Sequence, residues 1–525
     1  MKRFGVGSAL VLLLMVFLVG SVFSGNSDND QGLGEDSAVV ADLASLFTGL
    51  EIAPAYKPLG KHNPILPHRF GADPYALVYD GRVYVYATND ALFRTPKGTV
   101  IENQYGLIRS ISLVSSDDLV NWTDHGWIEI GPVGRGLATW AGNSWAPAAI
   151  YKEVDGKNRF FLYFANNANG IGLLLSDSPV GPFVDPIGRA LVSRETANAN
   201  VEWLFDPAVV LDDEGNGYLY FGGGVPRGQD EMPNTGRVVK LGDDLISLAG
   251  IPQLVQAPWF FEAAFTFKLG DTYYYTYCTN FADRSHAKGD VVNDPGEIAY
   301  MTSKNPMGPW EYQGSIFKNP GTFFGRGGNN HHSIIEFNGE WYLFYHSLLM
   351  ETYMGIEAGY RATHVDKLTI TEDGRIMPVT GTYDGVDQVK HLDPYQLHEA
   401  ETFAWAGGIT VKQSTEPSAL YGPVNTVVAV GHGSFIGLSG VDFGADGAGK
   451  ITVKVASEAG SNALKITTGK PENQAYGYLV IPDTGSLEDF VEVTVELIQP
   501  ITGVNDLFFV FAGEGFDFDA WQFHK

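Results

Sequence analysis

The chain has 525 residues and a formal net charge of −27, from 61 acids against 34 bases, which excludes duplex nucleic acid as a partner and disfavours an anionic membrane surface. With 44% hydrophobic residues and a length beyond what one core serves, two or three folded domains are expected. Aromatics at 13%, 63 glycines and a single cysteine, Cys278, favour short strands and tight turns and exclude an intramolecular disulfide or a cysteine zinc cluster.

Lys2 and Arg3 precede an apolar run from Gly7 to Phe23, and Ser21 to Gly25 offer small residues for cleavage. That order predicts a signal peptide over residues 1–24 and a secreted, extracellular or periplasmic protein with no membrane attachment after cleavage; an uncleaved anchor is the alternative. No cysteine follows the run, which argues against a lipid anchor. Residues 25–54 are polar, then mixed, and read as a linker or strap.

From 55 to 390 the chain repeats itself loosely. Each repeat opens on a small or polar residue, runs through an apolar strand, turns at Gly, Asp or Asn, and returns through an aromatic-rich strand. The five openings are Asp73-Pro74, Trp145-Ala146-Pro147, Asp206-Pro207, Glu262-Ala263 and His331-His332, spaced 56 to 72 residues apart. Hairpins at that period, with further strands between them, predict an all-β fold built on a five-bladed propeller of four-stranded blades. The innermost strands of a propeller line its axis, so Asp73, Asp206, Glu262 and His331 are expected to meet at one end of the channel. One Asp-Pro pair is ordinary turn punctuation, but three acids heading three repeats point to chemistry.

Three carboxyls suit inverting glycoside hydrolysis. One must stay protonated at the leaving oxygen and another ionised to activate water, and a third can set the difference between them. Trp145 is placed to form an apolar wall against a sugar ring. Trp203, Phe260 and Asn330 are further pocket candidates, with a core role equally open for Trp203. The alternative of another class is a non-catalytic carbohydrate-binding propeller.

At these openings the sequence resembles glycoside hydrolase family 43 over residues 60–380. The runs Tyr273–Thr279, Gly296–Thr302 and Gly328–Ser333 are most similar to its arabinoxylan-acting branch. The resemblance implies an inverting enzyme with Asp73 as general base, Glu262 as general acid and Asp206 tuning and orienting its neighbour. It also implies Arg361 as a pocket arginine donating to sugar hydroxyls or to Asp206, and His331 facing a metal ion in the channel. The implied activity is release of α-L-arabinofuranosyl groups from arabinoxylan or from xylo- and arabino-oligosaccharides, with β-xylosidase second. No cofactor is implied for the chemistry, and a monomer is expected.

Residues 395–525 change character, with short alternating strands such as Ile451–Val455 and Phe508–Phe511 between Gly-rich turns, and read as a β-sandwich of jelly-roll type. Glu399-Ala400-Glu401, Val441–Gly444 and Asp517–Phe523 resemble a family 6 carbohydrate-binding module. That resemblance implies a structural calcium held by Glu399, Glu401 and Asp519, a hard ion suited to oxygen ligands. Leu487 stands where the module carries a stacking Trp, and Asp517 where it carries an Asn. Bracing the propeller is therefore as open a role as holding glycan.

Overall fold

The computed structural model describes residues 43–525 apart from 133 and 292; the expected signal peptide, and the linker up to residue 42, lie outside the described residues. No helix among the described residues is long and apolar enough to cross a membrane. Five antiparallel sheets follow one another between residues 72 and 368 as propeller blades. Their innermost strands are Ala72–Tyr79, Trp145–Val154, Ala208–Leu211, Phe260–Leu269 and His332–Phe337. The hairpins turn where the sequence offers left-handed residues. Asp80-Gly81, Asp155-Gly156 and Asn338-Gly339 all have positive φ, the twist that two-residue β-turns need.

The second strands are apolar on both faces because each blade is packed between two others. Val83-Tyr84-Val85-Tyr86-Ala87 is buried throughout, with Tyr84 and Tyr86 in the core shared with the second blade and Val83 and Val85 against Phe344 and Val365 of the fifth. A further core joins the third and fourth blades through Tyr220, Phe260, Tyr275 and Tyr277.

The fifth blade departs from the expected four strands and has three, ending at Ala362–Leu368. Its outer edge is closed by the start of the propeller chain. Ile65 N–H donates to the Thr363 carbonyl at 2.9 Å, Val365 N–H to Asn63 Oδ1 at 2.9 Å, and Asn63 Nδ2 to the Val365 carbonyl at 3.0 Å. An exposed edge is thereby covered, and the ring is locked by its first residues.

The C-terminal domain is a sandwich of two antiparallel sheets over one apolar core. It is tied to the propeller by backbone: Thr402-Phe403 pairs with Trp122-Thr123 as a fifth strand on the first blade. The strap segment lies on the sandwich. Phe47, Leu50, Ile52 and Ala55 pack against Trp405, Phe435 and Phe508, and Ala53 N–H donates to the Gly433 carbonyl at 2.8 Å.

Candidate active site

The site begins with a backbone irregularity shared by four blades. Asp73, Ala146, Asp206 and Ala263 all have positive φ, between 38° and 60°. Non-glycine residues rarely hold that region, and a following proline, present after the first three, disfavours helical geometry further. Register shifts accompany it in the first, second and fourth blades. Such strain persists where the surrounding structure over-determines it, and here each strained residue is fixed by its blade at the axis.

This register corrects the expectation that all three acids occupy one position. Asp73 and Asp206 do. Glu262 stands one residue earlier, where the other blades carry Ala72, Trp145 and Phe205, and Ala263 takes the strained position. The Ala263 amide donates to Asp206 Oδ2 at 2.9 Å, and the Glu262 side chain lines the pocket from the neighbouring position.

Asp73, Asp206 and Glu262 line one open pocket of about 480 Å³ at the end of the channel, with Trp145, Trp203, Phe205, Phe261, Tyr105, Asn329, His331 and Arg361. Asp73 is the most heavily bonded. Its Oδ1 accepts from Arg361 Nη1 at 3.0 Å and its Oδ2 from Thr88 Oγ1 at 2.7 Å. Its own amide donates to His346 Nδ1 at 3.0 Å, while His346 Nε2 lies 3.0 Å from the Asn329 carbonyl. Those two bonds fix the His346 tautomer, with the proton on Nε2. Arg361 is itself clamped by Asp90, which accepts from its Nε and Nη2, each at 2.9 Å, and from its amide at 3.0 Å.

Charge then separates the acids. Burial pushes the Asp73 carboxyl up, but the Arg361 guanidinium, 3.0 Å from its Oδ1, outweighs it and holds it well below the usual carboxylate range. Glu262 goes the other way: burial, then the charges of Asp206 and Asp73, raise it well above the ordinary glutamate value. Its Oε1 is buried with no protein partner. Asp206 is pushed up to about 8 by burial and by Asp73, against the pull of the Ala263 amide. The pocket thus holds one firmly ionised carboxylate and an acid pair that retains a proton.

Of the expected pocket residues, Trp145, Trp203 and Arg361 line the cavity, whereas Phe260 and Asn330 do not. Phe260 faces the core between the third and fourth blades, leaving Phe261 in the pocket. Asn330 turns inward to donate to the Gly296 carbonyl at 3.0 Å, leaving Asn329 at the pocket wall. Of the two partners expected for Arg361, sugar hydroxyls or Asp206, the carboxyls it bonds are instead Asp73 and Asp90. His331, expected at a metal, points Nδ1 toward Asp73 Oδ1 at 3.5 Å and Asp206 Oδ2 at 3.8 Å, and burial lowers it to about 4, so its ring is neutral. Sequence reasoning missed Thr88, Asp90, Tyr105 and His346. Thr88 ends the first blade's second strand and Asp90 follows it, where a Thr-Asn-Asp run was the available signal; Tyr105 sits in a loop with none.

In the sandwich, Glu399, Glu401 and Asp519 are buried near one another. Burial and mutual repulsion raise Glu399 and Glu401, and Glu401 Oε2 has no protein partner. Asp519 Oδ2 pairs with Lys454 Nζ at 2.7 Å. Among the described residues, no three His, Cys, Asp or Glu side chains converge as a ready metal cage. The all-oxygen donor set and the orphan oxygen nevertheless fit a hard cation. Asp517 is buried against Lys412 Nζ at 2.7 Å.

Comparison with known proteins gives two family matches, to the Glycosyl hydrolases family 43 over residues 61–376 and to the Carbohydrate binding module (family 6) over residues 399–525. The chain is 43% identical over 503 residues to an arabinoxylan arabinofuranohydrolase of Paenibacillus polymyxa, covering 92% of this chain and 78% of that one. It is 44% identical over 486 residues to the arabinoxylan arabinofuranohydrolase of Bacillus subtilis (strain 168), covering 89% and 93%. A crystal structure of a family 43 arabinoxylan arabinofuranohydrolase from Bacillus subtilis in complex with cellotetraose superposes with a TM-score of 0.84 at 44% identity, over 90% of this chain and 99% of that one.

Proposed function

The chain belongs to glycosyl hydrolase family 43, and on that premise we propose that it is an exported inverting glycosidase removing α-L-arabinofuranosyl side chains from arabinoxylan or its oligosaccharides. The choice of arabinofuranoside rests on the activity named for its relatives. The mechanism rests on one observation, the opposite displacement of the Asp73 and Glu262 carboxyls within one pocket.

Asp73, ionised and oriented by Arg361 and Thr88, takes a proton from the water that attacks the anomeric carbon. Glu262 gives its proton to the departing glycosidic oxygen. Asp206 keeps that proton on Glu262 by its charge, while the Ala263 amide holds it in place. Asp73 and Glu262 come from the first and fourth blades, which are not neighbours in a ring of five. Inversion needs about 6.5–9.5 Å between the carboxyls to admit a water, and their placement on separate, non-neighbouring blades supports that reading. Trp145 and Trp203 supply apolar faces to the pentose.

We further assign Glu399, Glu401 and Asp519 to a structural calcium, supported by the orphan Glu401 oxygen and the raised glutamates, with Lys454 giving up its place at Asp519. The catalytic reading is tested by comparing the 4-nitrophenyl α-L-arabinofuranoside with the β-D-xyloside. Faster release from the arabinofuranoside is expected; the reverse order makes the protein a β-xylosidase.

A further inference from the structure

Glu351 is a fully buried acid that the mechanism above does not use. It lies in the first turn of a short helix, Leu349–Met354, whose buried residues are Leu349, Met350 and Glu351. Its two apolar neighbours turn it into the fold, where a carboxylate is tolerated only when its oxygens find partners. Those partners are unevenly shared. Oε1 accepts from the Ala358 and Tyr360 amides, each at 2.9 Å, while Oε2 lies 3.0 Å from Arg326 Nη2. Arg326 also donates from Nη1 to the Ile356 carbonyl at 3.1 Å.

The segment gripped in this way delivers Arg361. The helix stops at Gly355, in the left-handed region at φ 66°, and the next strand begins only at Ala362. No sheet ladder fixes the residues between them, so Glu351 supplies the acceptor that a neighbouring strand would. The same segment holds the loop opposite. The Asn103 amide donates to the Ala358 carbonyl at 2.7 Å, Asn103 Nδ2 to the Gly359 carbonyl at 3.2 Å, and the Tyr360 hydroxyl to the Ile101 carbonyl at 2.9 Å. That loop carries Tyr105, whose ring centre is 5.0 Å from the Arg361 guanidinium, within cation–π range. Arg326 opens the run to Asn329 on the pocket wall. Three loops near Asp73 thus converge on one carboxylate.

We propose that Glu351 is a positioning residue for hydrolysis, holding residues 358–360 so that Arg361 meets Asp73 and Tyr105 covers the guanidinium. This rests on the reading of Asp73 as the general base. Asp90 orients the guanidinium from the first blade, and Glu351 sets the reach of the backbone behind it. Asp73 also faces His331, His346, Asp206 and Glu262, but Arg361 exerts the largest attraction on it. A small retreat of Arg361 therefore makes Asp73 easier to protonate.

The two roles of Glu351 are separable, because both amides bond one oxygen. Glu351→Gln keeps an acceptor for them and loses the charge facing Arg326, whereas Glu351→Met loses both. The test measures the pH dependence of kcat/KM on 4-nitrophenyl α-L-arabinofuranoside, beside melting temperatures, for the full-length wild type, these two variants and Arg326→Gln. The acid limb should move to higher pH by about one pH unit or more in Glu351→Met, and by less in the other two. At the optimum, kcat should fall about 10-fold in Glu351→Met, and Glu351→Gln should recover part of that loss. Lower melting temperatures with every acid limb unmoved would overturn the proposal and leave Glu351 a purely stabilising residue. If Glu351→Met does not fold, the limbs of the other two variants decide. Asp73→Asn, assayed alongside, separates this outcome from a failure of the reading beneath it: a variant that kept its activity and its acid limb would remove Asp73 as the base.

Discussion

The molecule buries a trio of carboxyls twice, once in each domain, and the two trios behave differently. Asp73, Asp206 and Glu262 line an open pocket, and a fixed arginine beside Asp73 splits them into one ionised base and a pair that retains a proton. Glu399, Glu401 and Asp519 have Lys454 as the charge near them, and both glutamates move in the same direction. Clustered acids are therefore not a catalytic signature by themselves. What makes the axial trio a catalyst is asymmetry: a base pulled down, an acid pushed up, and space between them.

The largest expected effect lies on the ionised side of that asymmetry. Asp73→Asn should cut turnover on the order of 10³- to 10⁴-fold on every substrate, since the base is needed whatever leaves, and steady-state rates on nitrophenyl and natural substrates check it. Glu262→Gln should lose on the order of 10²-fold or more on arabinoxylan yet spare the nitrophenyl substrate, whose leaving group needs no proton. Equal losses on both would remove Glu262 from the acid role.

A pH profile sharpens the comparison further. Asp73 must be ionised and its pKa is depressed, so the acid limb should lie below the usual carboxylate range. Glu262 must be protonated and its pKa is raised, so activity should fall only as pH rises through that elevated value. Asp206→Asn removes a charge that raises Glu262 and should move the alkaline limb to lower pH. A limb that stays put would leave Asp206 a purely structural role.

The sandwich trio should act on stability alone. A glutamate whose pKa is higher folded than unfolded favours the fold below its unfolded pKa, and that contribution is lost as pH rises through the folded one. Glu399 and Glu401 are both raised, so a chelated sample should lose thermal stability as pH rises above the ordinary glutamate range, and added calcium should restore it without changing nitrophenyl turnover. Melting curves that ignore both chelator and calcium would remove the cation from this domain.

How much of this was legible in the sequence follows the same divide. The repeats were readable because every second strand is apolar on both faces and every hairpin turn carries Gly, Asp or Asn, signals that are local. The family resemblance picked out Asp73, Asp206 and Glu262 as well, and all three line the pocket. What escaped is register. Whether Phe260 or Phe261 faces the pocket depends on the backbone irregularity around Glu262, and Asn329 or Asn330 on the loop that leads into the fifth blade; a shift of one residue exchanges the two faces of a strand. Asp90 and Tyr105 escaped for a related reason, since their importance comes from Arg361, which is distant in sequence. The three-stranded fifth blade was hidden because residues 63–65 close it from the far end of the domain.

The pairing of an ionised Asp73 with a protonated Glu262 across the axis implies single displacement by water. Proton NMR during the first minutes of hydrolysis of an α-L-arabinofuranoside tests that directly. The product should appear first as the β-anomer, inverted relative to the substrate, with no transfer to added methanol. An α-anomer at first appearance, or methyl arabinofuranoside among the products, would contradict the assigned roles of both residues.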